Sequence, residues 1–292
     1  MPARLLDGRA LAQDLREEVT VRAARVRGWG AAPRLAVEIV GEDPASHAYA
    51  RTIQRIGAKV GIDVQVDALP ADITANNLRR RLWELDRDQS VHGVILQQPL
   101  PPHLDGQREY IAHAIPADKD VDGANPLNLG RLTFRENPWF VAATPEAVML
   151  LLARSARWPL RGVRCCVVGR STTVGLPLAL LLLAQDATIT IAHRQTRELG
   201  KRTSEAEVLI AAAGVPGLIR ADMVAPGATV IDVGTTFADG KLVGDVVFDE
   251  VAEVAGEITS VPGGVGPVTN LVLLRNVVKT AEARTQPREV TD

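Results

Sequence analysis

Apolar positions in the first hundred residues alternate between two periods. They recur at helical spacing over 8–28, run almost unbroken over Arg34–Val40, and return to helical spacing over 45–60. A strand over 63–68, a helix over 72–87 and a strand over 93–97 follow. Strands separated by helices predict a parallel sheet, because parallel neighbours need a crossover connection. Pro99, Pro101 and Pro102 come directly after the third strand. They stop it and stiffen the loop at its carboxyl end, where open α/β sheets take their ligands. Residues 118–128 form a second loop, dense in turn formers and carboxylates.

A helix from Thr144-Pro145 to about 154 opens a second alternating series. Strands over 163–168, 188–192, 208–212 and 229–233, a helix over 175–184 and a final helix over 268–283 complete it. The pattern predicts an α/β protein of two lobes, residues 1–144 and 145–267, joined near 145 with a cleft between them.

The second series carries the most informative segment, Val167-Val-Gly169-Arg170-Ser171-Thr-Thr-Val174-Gly175-Leu-Pro177. Gly169 lets the chain turn sharply off a strand, and Gly175 lets helix and sheet approach closely. The first N–H groups of the helix, at the positive end of its dipole, are left to hold an anion. Ser171 stands where the dinucleotide fingerprint has its middle glycine, and a glycine pair at such a junction also serves plain turn chemistry. The neighbouring sequence has to decide.

An acid at the end of the next strand would accept hydrogen bonds from a ribose 2′-hydroxyl. This chain instead runs from Thr188–Ala192 into His193-Arg194-Gln195-Thr196. An arginine without a carboxylate suits a 2′-phosphate, which a guanidinium binds through two parallel hydrogen bonds, so NADP is expected over NAD. Arg170 adds a second cation. Gly214 and the pair Gly234-Thr235 close two further strands where backbone would pass near the cofactor.

Composition narrows the partners. The 292 residues are 46% hydrophobic with a formal net charge of −2 and interspersed signs, which gives no electrostatic footprint for nucleic acid or an anionic membrane. Adjacent Cys165 and Cys166 point to opposite faces of a strand and cannot readily bridge. No metal-ligand spacing is present, and no metal is expected. The run 176–184 is too short to span a bilayer, and the first residues lack a secretory pattern, so a cytoplasmic protein is expected.

Four segments together resemble the bifunctional methylenetetrahydrofolate dehydrogenase/cyclohydrolase family. They are the Gly169–Pro177 turn, Pro262-Gly263-Gly264-Val-Gly266-Pro267-x-Thr269, Lys119-Asp120-Val121-Asp122-Gly123, and Gln97-x-Pro99-Leu100-Pro101. Leu6-Asp7-Gly8, Gly41-x-x-Pro44-Ala45-Ser46 with Tyr49, and Gly244-Asp245-Val246 extend the likeness over nearly the whole chain. The resemblance implies a homodimer. Its N-terminal lobe, completed by the helix over 268–284, would bind tetrahydrofolate, and a Rossmann-like lobe would bind NADP.

The resemblance also implies roles. Tyr49 would stack near the pterin and aminobenzoate, Gln97 would assist the catalytic polar network, and Asp122 would hold the pterin by its amino and ring N–H groups. Pro99, Leu100, Pro262, Gly263 and Gly264 would line the substrate pocket. The residue types suit this chemistry, since a carboxylate accepts two parallel bonds from an aminopyrimidinone edge and an aromatic ring offers its face to a flat cation. Taken singly, Tyr49 also reads as helix packing, Gln97 as the end of a strand, and Asp120 with Asp122 as turn formers.

One position departs from the pattern. The family has a lysine four residues after the tyrosine, one helical turn along the same face, and this chain has Ile53. Isoleucine can neither exchange a proton nor position a water, so cyclohydrolase activity is expected to be weak or absent. Hydride transfer depends mainly on positioning and is expected to survive. A second reading is a diverged relative acting on another imine or iminium, or a non-catalytic NADP- or folate-binding protein.

Overall fold

A computed structural model describes residues 2–136, 138–238 and 241–286. The described residues form two compact units, 14–131, 138–140 and 270–286 in one, and 2–13, 132–136, 141–238 and 241–269 in the other.

The first unit is built on a three-stranded parallel sheet in the order Asp63–Leu69, Arg34–Val40, Gly93–Leu96. Its central strand is buried from Leu35 to Val40, which is why the sequence reads there as an unbroken apolar run. The chain leaves that strand to build one neighbour and then crosses to build the other, so the strand order reverses at Val40. The helix Pro44–Val60 starts at this point. Asp43 caps it by accepting a hydrogen bond from the Ser46 N–H (2.8 Å), and proline at its first position has no N–H to lose. Ser46, Ala50, Ile53, Gly57 and Val60 form its buried face.

The second unit holds a six-stranded sheet whose pairings are all parallel. Its order is Arg4–Leu5, Glu257–Ile258, Thr229–Asp232, Val208–Ala211, Arg164–Val168, Thr188–Ala192. After Arg164–Val168 the chain builds the strand on one side, then returns to build Val208–Ala211 on the other. The order reverses at Val168, immediately before Gly169. An antiparallel hairpin, Thr236–Ala238 with Lys241–Val243, leaves the end of Thr229–Asp232.

The expected α/β architecture is therefore present, with a Rossmann-like parallel sheet. The final helix spans Val265–Thr285, three residues longer at its start than the pattern predicts. Gly266 and Pro267 fall in its first turn, where the missing proline N–H breaks no helical bond.

Candidate active site

The expected substrate residues of the first unit gather at the carboxyl end of its sheet. Gln97 follows the strand Gly93–Leu96, and its N–H donates to the Glu38 carbonyl of the central strand (2.9 Å). The carbonyl of Gln98 accepts from the Gln97 side-chain amide (3.1 Å) and from Ser46 Oγ (3.2 Å). Ser46 also donates to Asp43 (2.7 Å). These bonds tie the proline loop to the start of the helix that carries Tyr49 and Ile53. The Gln98–Pro99 peptide is cis, Pro99 is exposed, and Leu100 is buried in the apolar core with Val94, Leu104 and Ile111.

The 118–125 loop lies beside the same strand, with a parallel bridge between Val94 and Asp120. Its two central carboxylates have different jobs. Asp120 is buried and accepts from the Asn125 N–H (2.5 Å) and the Asn128 side-chain amide (3.5 Å), so it builds the turn. Burial pushes its carboxyl up to about 7. Asp122 makes no hydrogen bond or ion pair to any described residue, although burial raises its pKa too. A recessed carboxylate left unengaged by its own chain is suited to a ligand that brings N–H donors.

Tyr49 is half-buried, and burial together with the charge of Asp122 raises its phenol. The phenol therefore stays a neutral donor at any physiological pH. Ile53, one turn further on, is wholly buried and presents only methyl and methylene groups.

In the second unit, the Gly169 turn sits where the strand order reverses, which is where open α/β sheets bind ligands. Gly169 has φ +143°, and a Cβ there would run into the Ala212 carbonyl. A Cβ on Gly175 would strike the Gly169 carbonyl. Both glycines are thus required by backbone packing. Ser171 Oγ accepts from the N–H groups of Val174 (3.1 Å) and Gly175 (3.4 Å), closing the turn ahead of helix Gly175–Ala184.

At the end of the neighbouring strand, the His193 N–H donates to Thr196 Oγ1 (2.9 Å) and the Gln195 N–H to His193 Nδ1 (3.2 Å), giving an ordered turn. Arg194 projects from that turn. Neither it nor Arg170 has a hydrogen-bond or ion-pair partner among the described residues, and both are exposed. Two unpaired guanidinium groups and no carboxylate on Arg164–Val168 or Thr188–Ala192 fit a phosphorylated dinucleotide. Gly214 has φ +67° with open space around its missing side chain, whereas the Cβ position of Gly234 is filled by Asp245. Thr235, next to Gly234, is exposed.

Pro262 is exposed, and Gly263 and Gly264 are buried beneath the start of helix Gly8–Gly28. A Cβ on Gly8 would strike the Gly264 carbonyl, so Leu6-Asp7-Gly8 and Pro262-Gly263-Gly264, far apart in sequence, are complementary surfaces.

The tetrahydrofolate dehydrogenase/cyclohydrolase catalytic domain matches residues 6–122, and the NAD(P)-binding domain of the same enzymes matches residues 142–285. The chain belongs to the tetrahydrofolate dehydrogenase/cyclohydrolase family. Curated family members include the bifunctional protein FolD of Cupriavidus taiwanensis, 48% identical over 97% of this chain and 99% of that protein. The FolD of Moorella thermoacetica is 45% identical over 96% and 99%. Among solved members, the bifunctional FolD of Campylobacter jejuni superposes with a TM-score of 0.92 at 39% identity, covering 97% of this chain and 99% of that one. The Trypanosoma brucei FolD, solved with NADP cofactor and inhibitor, gives a TM-score of 0.92 at 37% identity, covering 98% and 100%.

Sequence reasoning passed over Ser46, Asn276 and Asp245 as working parts. Ser46 and Gly244-Asp245-Val246 stand in the segments that carry the family likeness, but their bonds are made to residues distant in sequence, which no local pattern displays. Among the described residues no cluster of His, Cys, Asp or Glu could hold a metal ion, and no helix is long and apolar enough to cross a membrane.

Proposed function

We propose that this chain is an NADP-dependent methylenetetrahydrofolate dehydrogenase whose cyclohydrolase activity is weak or absent. The carrying observation is the unengaged carboxylate of Asp122 near Tyr49, at the switch point of a sheet in a chain of this family. Asp122 accepts the pterin N–H groups, Tyr49 lends its ring face and neutral hydroxyl, and Gln97 completes the polar wall. Pro99 and Leu100 border the substrate on this unit, and Pro262, Gly263 and Gly264 carry the substrate contacts of the other unit.

The Gly169–Gly175 turn receives the pyrophosphate, with Arg170, Ser171 and Val174 around it. His193, Arg194 and Thr196 receive the 2′-phosphate, and Gly214, Gly234 and Thr235 border the rest of the cofactor. A bound NADP would supply the acceptor for the hydride of the folate's methylene carbon. The chain's part is to hold that carbon in place and exclude water, which needs no proton-transfer residue.

Hydrolysis of the methenyl product does need water activated and protons moved. Ile53 supplies neither, and loss of general acid–base help costs ~10²–10⁴-fold. Incubating the purified protein with methylenetetrahydrofolate and NADP tests the reading. Reduced cofactor should form, and binding of both ligands without turnover would favour a non-catalytic role.

The same reading makes the protein a cytoplasmic homodimer. It is supported by the open edge strand Thr188–Ala192, with Ile191 and nearby Leu183 exposed.

A further inference from the structure

We infer that Asp245 is a positioning residue that sets the rim of the cofactor site. The inference rests on the reading that Gly214, Gly234 and Thr235 border NADP. Asp245 is fully buried at the foot of the 236–243 hairpin. Its Oδ2 accepts from the N–H groups of Ala213 (2.6 Å) and Gly214 (2.9 Å), at the end of strand Val208–Ala211. Its backbone carbonyl accepts from the Ile219 N–H (2.9 Å), so the 213–219 loop is pinned at both ends by one residue.

The carboxyl group also fills the space that a side chain on Gly234 would need. Asp232 holds Asp245 in turn, accepting from the N–H groups of Gly234 (2.9 Å), Asp245 (3.0 Å) and Val246 (3.1 Å). A Cβ on Gly244 would strike the Asp232 carboxylate. Two carboxylates and two glycines thus interlock the 213–214 loop, the 234–235 segment and the hairpin base.

Asp245 Oδ1 is buried with no hydrogen-bond partner among the described residues. Ordinarily a buried carboxylate oxygen is satisfied, and this one is retained beside the two segments read as bordering the cofactor. Both loop N–H groups are held by Oδ2 alone, so the carbonyl oxygen of an asparagine can still accept from both. Alanine cannot, and it leaves a void against Gly234.

The test compares steady-state KM values of Asp245→Ala, Asp245→Asn and the unaltered enzyme. Asp245→Ala should raise KM for NADP about tenfold or more, as loss of a buried acceptor for two donors implies, with KM for methylenetetrahydrofolate within about twofold. Asp245→Asn should stay within about threefold on both. An unchanged NADP KM in the alanine variant, equal rises in both KM values, or an asparagine variant as impaired as alanine would overturn the role.

Amide hydrogen exchange on the unaltered protein without cofactor tests the pinning independently of how the variants fold. Ala213 and Gly214 should be strongly protected, and exchange at the rate of an open loop would overturn the proposal. Arg194→Ala reports on the underlying reading instead. An unchanged NADP KM there rejects the cofactor assignment at 193–196, while the Asp245 result decides the positioning role on its own.

Discussion

Asn276, on the last helix of the chain, donates its side-chain amide to the carbonyl of Val121 (2.9 Å), the residue immediately before Asp122. Thr280 and Arg284 hold Asp118 from the same helix, through its carbonyl (3.0 Å) and its carboxylate (2.8 Å). Some 150 residues after the loop, the C-terminal helix therefore fixes the peptide that carries the Asp122 carboxylate. Asn276→Leu keeps the branched shape but strands a buried carbonyl, worth about 1–3 kcal/mol. It should raise KM for methylenetetrahydrofolate about tenfold and leave KM for NADP unchanged, as steady-state kinetics will show.

Asp120 makes stability depend on pH. Burial raises its folded-state pKa to about 7, so between roughly pH 4 and 7 the folded protein binds this proton more firmly than the unfolded chain does. Stability from this group is therefore lost as pH rises through that window and stays lost above it. Asp120→Asn keeps the acceptor for Asn125 and removes the ionisation. Urea unfolding from pH 5 to 8 should show a flatter profile for the variant and higher stability above pH 7, by a few kcal/mol at most. Asp232, pushed up to about 6 by burial, should keep a smaller slope between pH 4 and 6 in both proteins.

Lys119 is wholly buried, and its ammonium donates to the carbonyls of Leu85 (2.9 Å), Asp86 (2.6 Å) and Asp88 (2.8 Å) where helix Ala75–Arg87 ends. A cation satisfying the last carbonyls of a helix complements its dipole. Lys119→Met fills the space but leaves those carbonyls without their donor. A loss of about 3–5 kcal/mol is expected by chemical denaturation.

Cofactor choice should follow Arg194. Arg194→Ala is expected to raise KM for NADP by about ten- to a hundredfold while changing KM for NAD little, because only NADP carries the phosphate it would grip. Equal effects on both cofactors would place the arginine elsewhere.

The long elements were legible because each buries one continuous stripe or run: Gly8–Gly28, Pro44–Val60, Arg34–Val40 and Gly175–Ala184 start and stop within a residue or so of their patterns. The two-residue strands Arg4–Leu5 and Glu257–Ile258 and the 236–243 hairpin were not, since so few residues show no period and are held by distant partners. At the site, Gly169 and Gly175 could be read from the strand–turn–helix setting. The division of labour between Asp120 and Asp122 could not, because two acids in one turn look alike until one is seen to be bonded and the other to have no partner among the described residues. Asn276 reads as one more polar residue on a helix, and only Val121 gives it a purpose.

Substitution at Ile53 tests the proposal that the two halves of the chemistry come apart there. Ile53→Lys returns an ionisable amine to the helix face of Tyr49 and should raise methenyltetrahydrofolate hydrolysis about 10²–10⁴-fold, with the dehydrogenase rate changed little.

The most direct measurement follows both halves at once in the unaltered enzyme, supplied with methylenetetrahydrofolate and NADP. Reduced cofactor should accumulate together with methenyltetrahydrofolate, which should then decay no faster than it does in buffer alone. Prompt conversion of the methenyl form to 10-formyltetrahydrofolate by the enzyme would contradict the account.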